Sequence, residues 1–264
     1  MKRTALLLLV ALVALPASAA TTILSTDFES LAVGAATATS LDGVTTGGAW
    51  TLPTTPTDLN VNNYDTAVPG NRGLIVWEDA VTKRTTHELV SVTLTTAADF
   101  SAQEQTWSLD TLQQGAATSQ IKNTIYEFRG NDGAVVAQFR WRSNSGLFQY
   151  GDGIGGWTDI GNVTTPAVAS TTWDPTLLST LSVTFSGTDV DVTFGTLTTP
   201  TTIAALNSTT NIESFHLTIQ NTGTASKTNL GGHIDNLTAS VVPEPATMSL
   251  LALGGMAMLR RKKK

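Results

Sequence analysis

The chain has 264 residues, of which 41% are hydrophobic and 14% charged, and it contains no cysteine. The lack of cysteine excludes disulfide scaffolds, thiol catalysis and cysteine-ligated zinc or iron–sulfur sites. Seven of the 15 Lys and Arg residues lie at the two ends, so residues 20–243 carry eight basic and 20 acidic side chains, a formal charge of about −12. A region this acidic repels phosphate backbones, which argues against nucleic acid as a partner. With only His87, His216 and His233, a multi-histidine metal centre is not expected.

The N-terminus has the three parts of a secretory signal peptide. Lys2 and Arg3 precede an apolar run at 5–15, and Ala17 and Ala19 form an Ala-x-Ala cleavage signal. The run is too short for a transmembrane helix, which needs about 20 residues. We therefore predict that residues 1–19 form a signal helix, used by the Sec machinery and removed by signal peptidase, and that the mature chain begins near Ala20.

Residues 20–241 are predicted to form a single domain of short antiparallel strands. Thr, Val, Ile and aromatic residues favour a pleated, half-buried surface. The loops at 129–133 and 186–189 supply glycine for short hairpins, whereas 34–70 is expected to form long loops with one or two short strands. The pattern predicts an all-β fold, an antiparallel two-sheet β-sandwich. The predicted strands are 23–28, 73–77, 89–95, 106–109, 124–129, 135–141, 181–185, 190–194, 215–220 and 233–239.

Three segments resemble the concanavalin A-like or carbohydrate-binding-module type of jelly roll. They are Asp27-Phe28-Glu29 in the opening strand, 232–236 in the closing strand, and the paired motif at 181–185 and 190–194. The resemblance implies that the first and last strands lie side by side.

The same resemblance implies a structural calcium site between these two strands. Asp27 or Glu29 on the first strand and Asp235 on the last would supply carboxylate oxygens, which Ca²⁺ prefers. Asp27 and Glu29 are predicted to share a strand face on either side of Phe28. The alternative is that these acids, with Asn236, solvate or cap a sheet edge.

No residue pattern in the sequence predicts catalysis. The β-glucanases that share this fold carry a Glu-x-Asp-x-Glu run, which would place two carboxyl groups at the spacing that glycoside hydrolysis needs, and this chain lacks it. A Gly-x-Ser-x-Gly nucleophile turn is also absent. We therefore expect no catalytic residue and no enzymatic activity, with a glycoside hydrolase as a minor alternative. Ice binding is not favoured, because Thr doublets such as Thr54-Thr55 place neighbours on opposite strand faces.

The six Trp residues differ in their sequence context. Three lie inside predicted strands and are assigned to the core, whereas the other three have loop-like neighbours. The first group is Trp77, Trp107 and Trp141, and the second is Trp50, Trp157 and Trp173.

One loop-like Trp belongs to a hypothetical sugar platform within residues 139–159. Aromatic faces pack on the C–H faces of sugar rings, and neighbouring polar groups can bind the hydroxyls. The predicted platform residues are Trp157, Tyr150, Arg142 and Asn144. The alternative is that Trp157 caps the end of the sandwich and that Arg142 lies over it.

The C-terminus has three elements in a fixed order. The motif Val242-Pro243-Glu244-Pro245 precedes an apolar run at 246–259. As a helix the run would reach about 21 Å, short of the roughly 30 Å hydrocarbon core, and the cations that follow hold the end on the cytoplasmic side. These membrane-stop residues are Arg260, Arg261, Lys262, Lys263 and Lys264.

This order of elements resembles the PEP-CTERM sorting signal of Gram-negative bacteria, a tail also catalogued as the C-terminal domain of some ice-binding proteins. The resemblance assigns residues 242–264 to sorting and implies cleavage near Pro243–Pro245 by an exosortase, a membrane-embedded enzyme similar to cysteine transpeptidases. The alternative is an ordinary tail anchor.

Together, the two ends and the body predict an exported protein. We expect passage through the inner membrane, a transient anchor formed by the C-terminal helix, and then release to the cell surface or the extracellular matrix. The predicted function is that of a surface or matrix protein without catalytic activity, and the alternative is a module that binds exopolysaccharide. The expected partners are the Sec machinery, signal peptidase, exosortase and, for the alternative, exopolysaccharide.

Overall fold

The computed structural model describes most of the body of the chain. The described residues are 19–32, 34–52, 59–65, 72–78, 86–99, 103–112, 122–142, 145–163, 178–208, 211–222 and 230–243. The predicted signal helix and C-terminal hydrophobic helix lie outside these ranges, as do Trp173 and Asn144.

Within these ranges the chain forms 17 strands, one short α-helix and one 3-10 turn. The helix α1 spans Ala38–Asp42 and the 3-10 turn spans Phe28–Ser30. The strands are β1 (Thr21–Thr26), β2 (Gly34–Ala35), β3 (Thr45–Thr46), β4 (Gly48–Thr51), β5 (Leu59–Asp65), β6 (Arg72–Glu78), β7 (Thr86–Asp99), β8 (Gln103–Thr111), β9 (Lys122–Gly130), β10 (Val135–Arg142), β11 (Leu147–Gly151), β12 (Trp157–Asn162), β13 (Ser179–Ser186), β14 (Asp189–Phe194), β15 (Leu197–Ala204), β16 (Asn211–Asn221) and β17 (Leu230–Pro243).

The described strands form two antiparallel sheets. The larger sheet has ten strands in the order β15-β14-β13-β8-β17-β6-β5-β2, with β1 paired to β17 and β3 paired to β1. The smaller sheet has seven strands in the order β12-β11-β10-β9-β16-β7-β4. The predicted all-β, two-sheet sandwich is confirmed. Strands β1 and β17 are direct neighbours, with Thr21 opposite Val241, as the jelly-roll resemblance implied.

Aromatic side chains from both sheets fill the core between them. Phe128 of the seven-stranded sheet lies 5.9 Å from Trp107 and 5.4 Å from Phe185, both of the ten-stranded sheet, measured between ring centroids. Near the β11 end, Phe194 lies 4.6 Å from Trp141 and 4.4 Å from Phe148. Each such pair contributes about 0.5–1.5 kcal/mol beyond the burial of its area.

The predicted strands lie within observed strands, with differences at a few places. Strand β1 ends at Thr26, so Phe28 lies in the 3-10 turn, where it is buried. Residues 34–65 contain four strands and α1 rather than long loops with one or two strands. These strands have two to seven residues and are rich in Thr, Gly and Asn, so they lack the apolar alternation that marks the others.

Trp50 has loop-like neighbours in the sequence, but in the structure it occupies a core position. Trp50 lies on β4 opposite Val92, is 4% exposed and packs near Phe28. Its indole N–H donates to the hydroxyl of Thr45 at 2.7 Å, which satisfies the one polar atom of the ring. Trp107 and Trp141 are buried, as predicted.

Candidate functional site

The outer face of the seven-stranded sheet carries most of the polar chemistry near the predicted platform. Phe139 is buried in the core opposite Tyr126 and Tyr150, so the alternate residues of these strands point to the other side of the sheet. We call this side the polar face. Its residues include Gln138, Arg140, Arg142, Gln149, Trp157, Asp159, Glu127, Arg129, Ser214, His216, Glu88 and Ser91.

One end of the polar face is built by strands β10, β11 and β12. The guanidinium carbon of Arg140 lies 4.3 Å from the centroid of the part-exposed Trp157 ring. The Nε of Arg140 donates to Oε1 of Gln149 at 2.6 Å, and Nε2 of Gln149 donates to Oδ1 of Asp159 at 2.5 Å. We call Arg140, Arg142, Gln149, Trp157 and Asp159 the Trp157 end.

A tight glycine loop between β11 and β12 sets the position of Trp157. The backbone N–H groups of Ile154 and Gly156 donate to Oδ1 of Asp152 at 2.9 and 2.8 Å. Gly153 and Gly155 have φ of 78° and 104°, a backbone region that L side chains rarely adopt. The loop therefore holds its shape without a core of its own, and it leaves Ile154 93% exposed three residues before Trp157.

Burial is the main influence on the charge of Arg140 at the Trp157 end. It is the chief cause that lowers the pKa of Arg140 to about 10; the charge of Arg142 contributes to the fall, and that of Asp159 opposes it. Arg140 therefore remains a cation at neutral pH, held partly out of water beside a second cation. A cation over an indole face at this distance contributes about 0.5–2 kcal/mol.

The centre of the polar face is a hydrogen-bonded chain across β7, β16 and β9. Oγ of Ser214 lies 2.8 Å from Nε2 of His216, and Nδ1 of His216 lies 3.0 Å from Oε2 of Glu88. Nη2 of Arg129 lies 2.7 Å from Oε2 of Glu127 and 3.7 Å from Oε2 of Glu88. We call these five residues the His216 cluster. The hydrogen bond with His216 is the main cause that lowers the pKa of Glu88, against an opposing effect of burial.

The order Ser–His–Glu is that of a nucleophile, a base and an orienting acid. Ser214 is only 8% exposed and lies in a strand paired on both sides, opposite Thr93 and Arg129. The backbone amides of such a central strand bond to their neighbours, so they are not arranged around an oxyanion as acyl transfer requires. The cluster therefore has the hydrogen-bond order of a proton relay, but its place within paired strands is that of a structural network. The sequence did not indicate this cluster, because Ser214 lies in a strand and not in a Gly-x-Ser-x-Gly turn, and Glu88 lies 128 positions before His216.

The structure places residues of the predicted platform on two opposite sides of the sheet. Tyr150 packs against the core on the opposite side of the sheet from Trp157. Arg142 lies on the polar face, but it is Arg140 that stacks on Trp157. Sequence reasoning missed Gln149 and Asp159. Strand alternation places Asp159 on the same face as Trp157, two residues away, and the pairing of Gln149 with Asp159 adds Gln149 to that face. Asn144 lies outside the described residues.

The acids of the predicted calcium site are held by protein donors. The carboxylate of Asp27 accepts from the hydroxyl of Ser30, and that of Glu29 accepts from the backbone N–H of Arg72 at 2.8 Å. Both acids lie at the 3-10 turn rather than on β1, because β1 ends at Thr26 and the turn that follows it buries Phe28. The prediction that Asp27 and Glu29 share a strand face is therefore wrong.

The third predicted ligand, Asp235, is buried at the point where β17 changes neighbours from β6 to β8. Its carboxylate accepts from the backbone N–H of Asn236 at 2.8 Å. Burial is the main cause that raises the pKa of Asp235 to about 6; the hydrogen bond from the Asn236 N–H opposes the rise, and the charges of Glu29 and Asp110 contribute to it. No group of three or more His, Asp or Glu residues in the described part of the chain is placed to hold a metal ion. This arrangement favours the alternative, in which the acids cap the edge of the sheet, and it leaves calcium binding untested.

The sorting end of the chain emerges directly from the folded sheet. Strand β17 runs to Pro243, with Val242 opposite Glu104 and Pro243 opposite Gln103 of β8. On its other side, Val241 lies opposite Thr21, one residue after the predicted mature N-terminus. The two predicted processing points therefore lie close together, where β1 begins and β17 ends.

A family model for the PEP-CTERM protein-sorting motif matches residues 241–264. The chain thus carries this motif, which implies export and exosortase-dependent sorting to the surface or the extracellular space. In the described part of the chain, no helix has the length and apolar character needed to cross a membrane. No curated protein matches the chain significantly in sequence.

Several solved structures are similar to the sandwich body. A sialidase matches with 11% identity and a TM-score of 0.52, over 85% of this chain and 19% of the sialidase, so the chain spans about a fifth of that protein. The CBM2 module of the Lactobacillus casei BL23 phage J-1 evolved Dit matches with 9% identity and a TM-score of 0.46, over 87% and 99% of the two chains. Alginate lyase A1-II′ of polysaccharide lyase family 7 matches with 11% identity and a TM-score of 0.42, over 80% and 94%. The sialidase similarity supports the sandwich fold.

Proposed function

We propose that this protein is an exosortase-processed component of the cell surface or extracellular matrix that acts by binding and not by catalysis. The observation that carries the proposal is the match of residues 241–264 to the sorting motif. The motif begins inside β17, so the folded domain ends where the sorting tail starts. On this proposal, the sorting tail delivers the sandwich to the outside of the cell.

The central network of the polar face supports the non-catalytic part of the proposal. Ser214 and His216 lie mid-strand and bond to each other, and Arg129, Glu127 and Glu88 complete the chain of contacts. Groups that are paired in this way stiffen a sheet.

Processing is tested in the native host with and without its exosortase. The expected mature protein begins near Ala20 and lacks Arg260–Lys264, and it is found at the surface or in the matrix. Without exosortase, we expect the chain to keep its basic end and to remain with the membrane fraction. Intact mass spectrometry of both fractions decides the matter. Recovery of a surface protein that still carries Arg260–Lys264 contradicts the proposal.

A second candidate function, exopolysaccharide binding, is favoured by the geometry of the Trp157 end. Stacking on Arg140 fixes the indole of a part-exposed Trp157, and the polar groups of Gln149 and Asp159 lie on the same face. A fixed aromatic surface beside hydrogen-bonding groups is the usual composition of a small-ligand site. Co-sedimentation of the processed protein with exopolysaccharide from its host tests this function. Failure of the two to co-sediment contradicts it.

A further inference from the structure

The sorting motif overlaps the last strand of the folded domain. The family match begins at Val241, whereas β17 extends to Pro243. Val241, which is 8% exposed, lies opposite Gln105 of β8, and Val242 lies opposite Glu104. The first three residues of the motif are therefore part of the sheet, and they lead directly into the predicted cleavage region.

A strand that is paired in a sheet is not available to a peptidase. A bound peptide segment is commonly held in an extended form, with its backbone groups bonded to the protein that recognises it. In a sheet, the same groups are bonded to the neighbouring strands. Cleavage next to a paired strand therefore proceeds from an opened form, and its rate follows the population of that form when opening and closing are fast.

The end of β17 is held less firmly than the residues before it. Ser240 pairs with both β1 and β8. Strand β1 begins at Thr21, opposite Val241, so in the described part of the chain Val242 and Pro243 pair with β8 alone. Proline also has no N–H to donate to the ladder. Opening therefore costs least at this end of the strand.

A buried glutamine lies beside the same strand end. Gln105 is fully buried, and its Nε2 donates to the carbonyl of Ile212 in a long contact of 3.4 Å. Among the residues that the structure describes, none donates to Oε1 of Gln105. A buried acceptor without a partner costs free energy, and water reaches it once Val241 moves away. Hydration of Gln105 therefore offsets part of the cost of opening.

We propose that exosortase acts on a form of the protein in which Val241–Pro243 have left the sheet, so that detachment of the end of β17 from β8 limits the rate of processing. This inference rests on the proposed exosortase processing and adds the conformation of the substrate to it. The folded domain thereby controls when its own tail is removed.

Cross-strand disulfides can hold this strand end in place, because the chain has no cysteine of its own. Val242→Cys with Glu104→Cys joins β17 to β8 within the motif, and we call this pair the end cross-link. Ser240→Cys with Thr106→Cys joins the same strands before the motif, and we call it the inner cross-link. The residues of each pair lie directly opposite, and none of the four is buried. Opposite Cα atoms are about 4.5–5.5 Å apart, a separation that a disulfide spans.

The test starts from cross-linked precursor. The full chain accumulates in its native host without exosortase, where export to an oxidising compartment allows the disulfides to form. Exosortase synthesis is then induced, and the loss of Arg260–Lys264 is followed over time. Alkylation of free thiols separates cross-linked from reduced molecules, so that each rate refers to molecules of known state.

The two cross-links should differ in their effect. We expect the end cross-link to slow processing by about tenfold or more, because it removes the opened form, and the inner cross-link to leave the rate within about twofold of the wild type. Treatment with dithiothreitol should restore the rate of the end-cross-linked molecules. The reduced form of each variant is its own control for folding, and the single variants Val242→Cys and Glu104→Cys set the reference rate.

The outcomes separate this inference from the proposed function. Equal rates for end-cross-linked and reduced molecules overturn the inference and leave exosortase processing intact. Equal slowing by the inner cross-link also overturns it, because that disulfide does not hold Val241–Pro243. Processing of the wild type before exosortase is induced contradicts the proposed function itself.

Discussion

The two parts of the polar face differ in their contacts and in how much aromatic surface they expose. In the His216 cluster, Arg129 contacts both Glu127 and Glu88, and His216 is bonded on both ring nitrogens. At the Trp157 end, the guanidinium of Arg140 stacks on an aromatic ring that is left part-exposed. A closed network of this kind holds a sheet together, whereas an end with a part-exposed aromatic ring, here called the open end, is suited to a ligand.

The largest effect concerns an unbalanced charge that is buried in the other sheet. The pKa of Asp235 is about 6 in the folded protein, against 3.8 for an unperturbed Asp. The folded state therefore binds the proton more tightly, so this residue contributes stability below about pH 4 that is lost as the pH rises through about 6. We expect Asp235→Asn to have little effect near pH 4 and to stabilise the protein by up to about 3 kcal/mol at neutral pH.

The Asp235 effect is measured as a difference between variant and wild type in urea unfolding at several pH values. Burial lowers the pKa of His233 to about 3, so the contribution of His233 changes in the opposite direction between about pH 3 and 6.5. The wild-type profile alone therefore does not isolate Asp235. A variant that is no more stable at pH 7 than at pH 4, relative to wild type, contradicts the interpretation.

The Asp235→Asn variant also tests the calcium prediction. If Ca²⁺ bound to Asp27, Glu29 and Asp235, a chelator would lower the melting temperature of the wild type, and Asp235→Asn would lose stability in calcium. Because protein donors occupy these carboxylates, we expect no shift with a chelator. A drop in the melting temperature on chelation would show that the residues rearrange around the metal.

The next prediction concerns the loss of His216 from the closed network. His216→Ala leaves Glu88 and the buried Ser214 without their shared partner. We expect a loss of about 2 kcal/mol, which corresponds to a drop of about 4–8 °C in melting temperature for a domain of this size. Thermal unfolding by circular dichroism checks it. An unchanged melting temperature contradicts the structural role of the cluster.

The open end should be less important for stability. Trp157→Ala removes the stack on Arg140 from a part-exposed position, so we expect a loss of about 1 kcal/mol, or about 2–4 °C. The same melting experiment applies, with Trp141→Ala as the matched control, since Trp141 is buried and should cost about 3–5 kcal/mol. A similar loss in both variants would assign Trp157 to the core.

The smallest effect is the acid dependence of the closed network. The pKa of Glu88 is lowered in the folded protein, chiefly by its hydrogen bond with His216. Its contribution is therefore present above the unperturbed value of 4.5 and is lost as the pH falls through the folded value. We expect Glu88→Gln to flatten the acid side of the stability profile, as seen in melts between about pH 5 and 3. An equally steep profile in the variant counts against this role.

The sequence was sufficient for the sandwich, the neighbouring first and last strands, and the sorting motif. Alternating side chains predict strands because burial on one face repeats every second residue, and Thr21 does lie opposite Val241. The tail is defined by composition and order alone, so its identification needed no structure.

The site required information that the sequence does not contain. Tyr150 and Trp157 are close along the chain, but only the strand register puts them on opposite faces. The His216 cluster joins residues from distant strands, and Trp50 is buried because β4 pairs with β7, some 40 positions later. The acids at 27 and 29 were misplaced because a 3-10 turn ends the alternation at Thr26.

We propose that a ligand binds at the Trp157 end and not at the His216 cluster. The most direct measurement is the affinity of Trp157→Ala and of His216→Ala for the host exopolysaccharide, under one set of conditions in which both variants are folded. The claim predicts that Trp157→Ala loses binding and that His216→Ala retains the wild-type affinity within about twofold. Retention of binding by Trp157→Ala, or an equal loss in both variants, would contradict it.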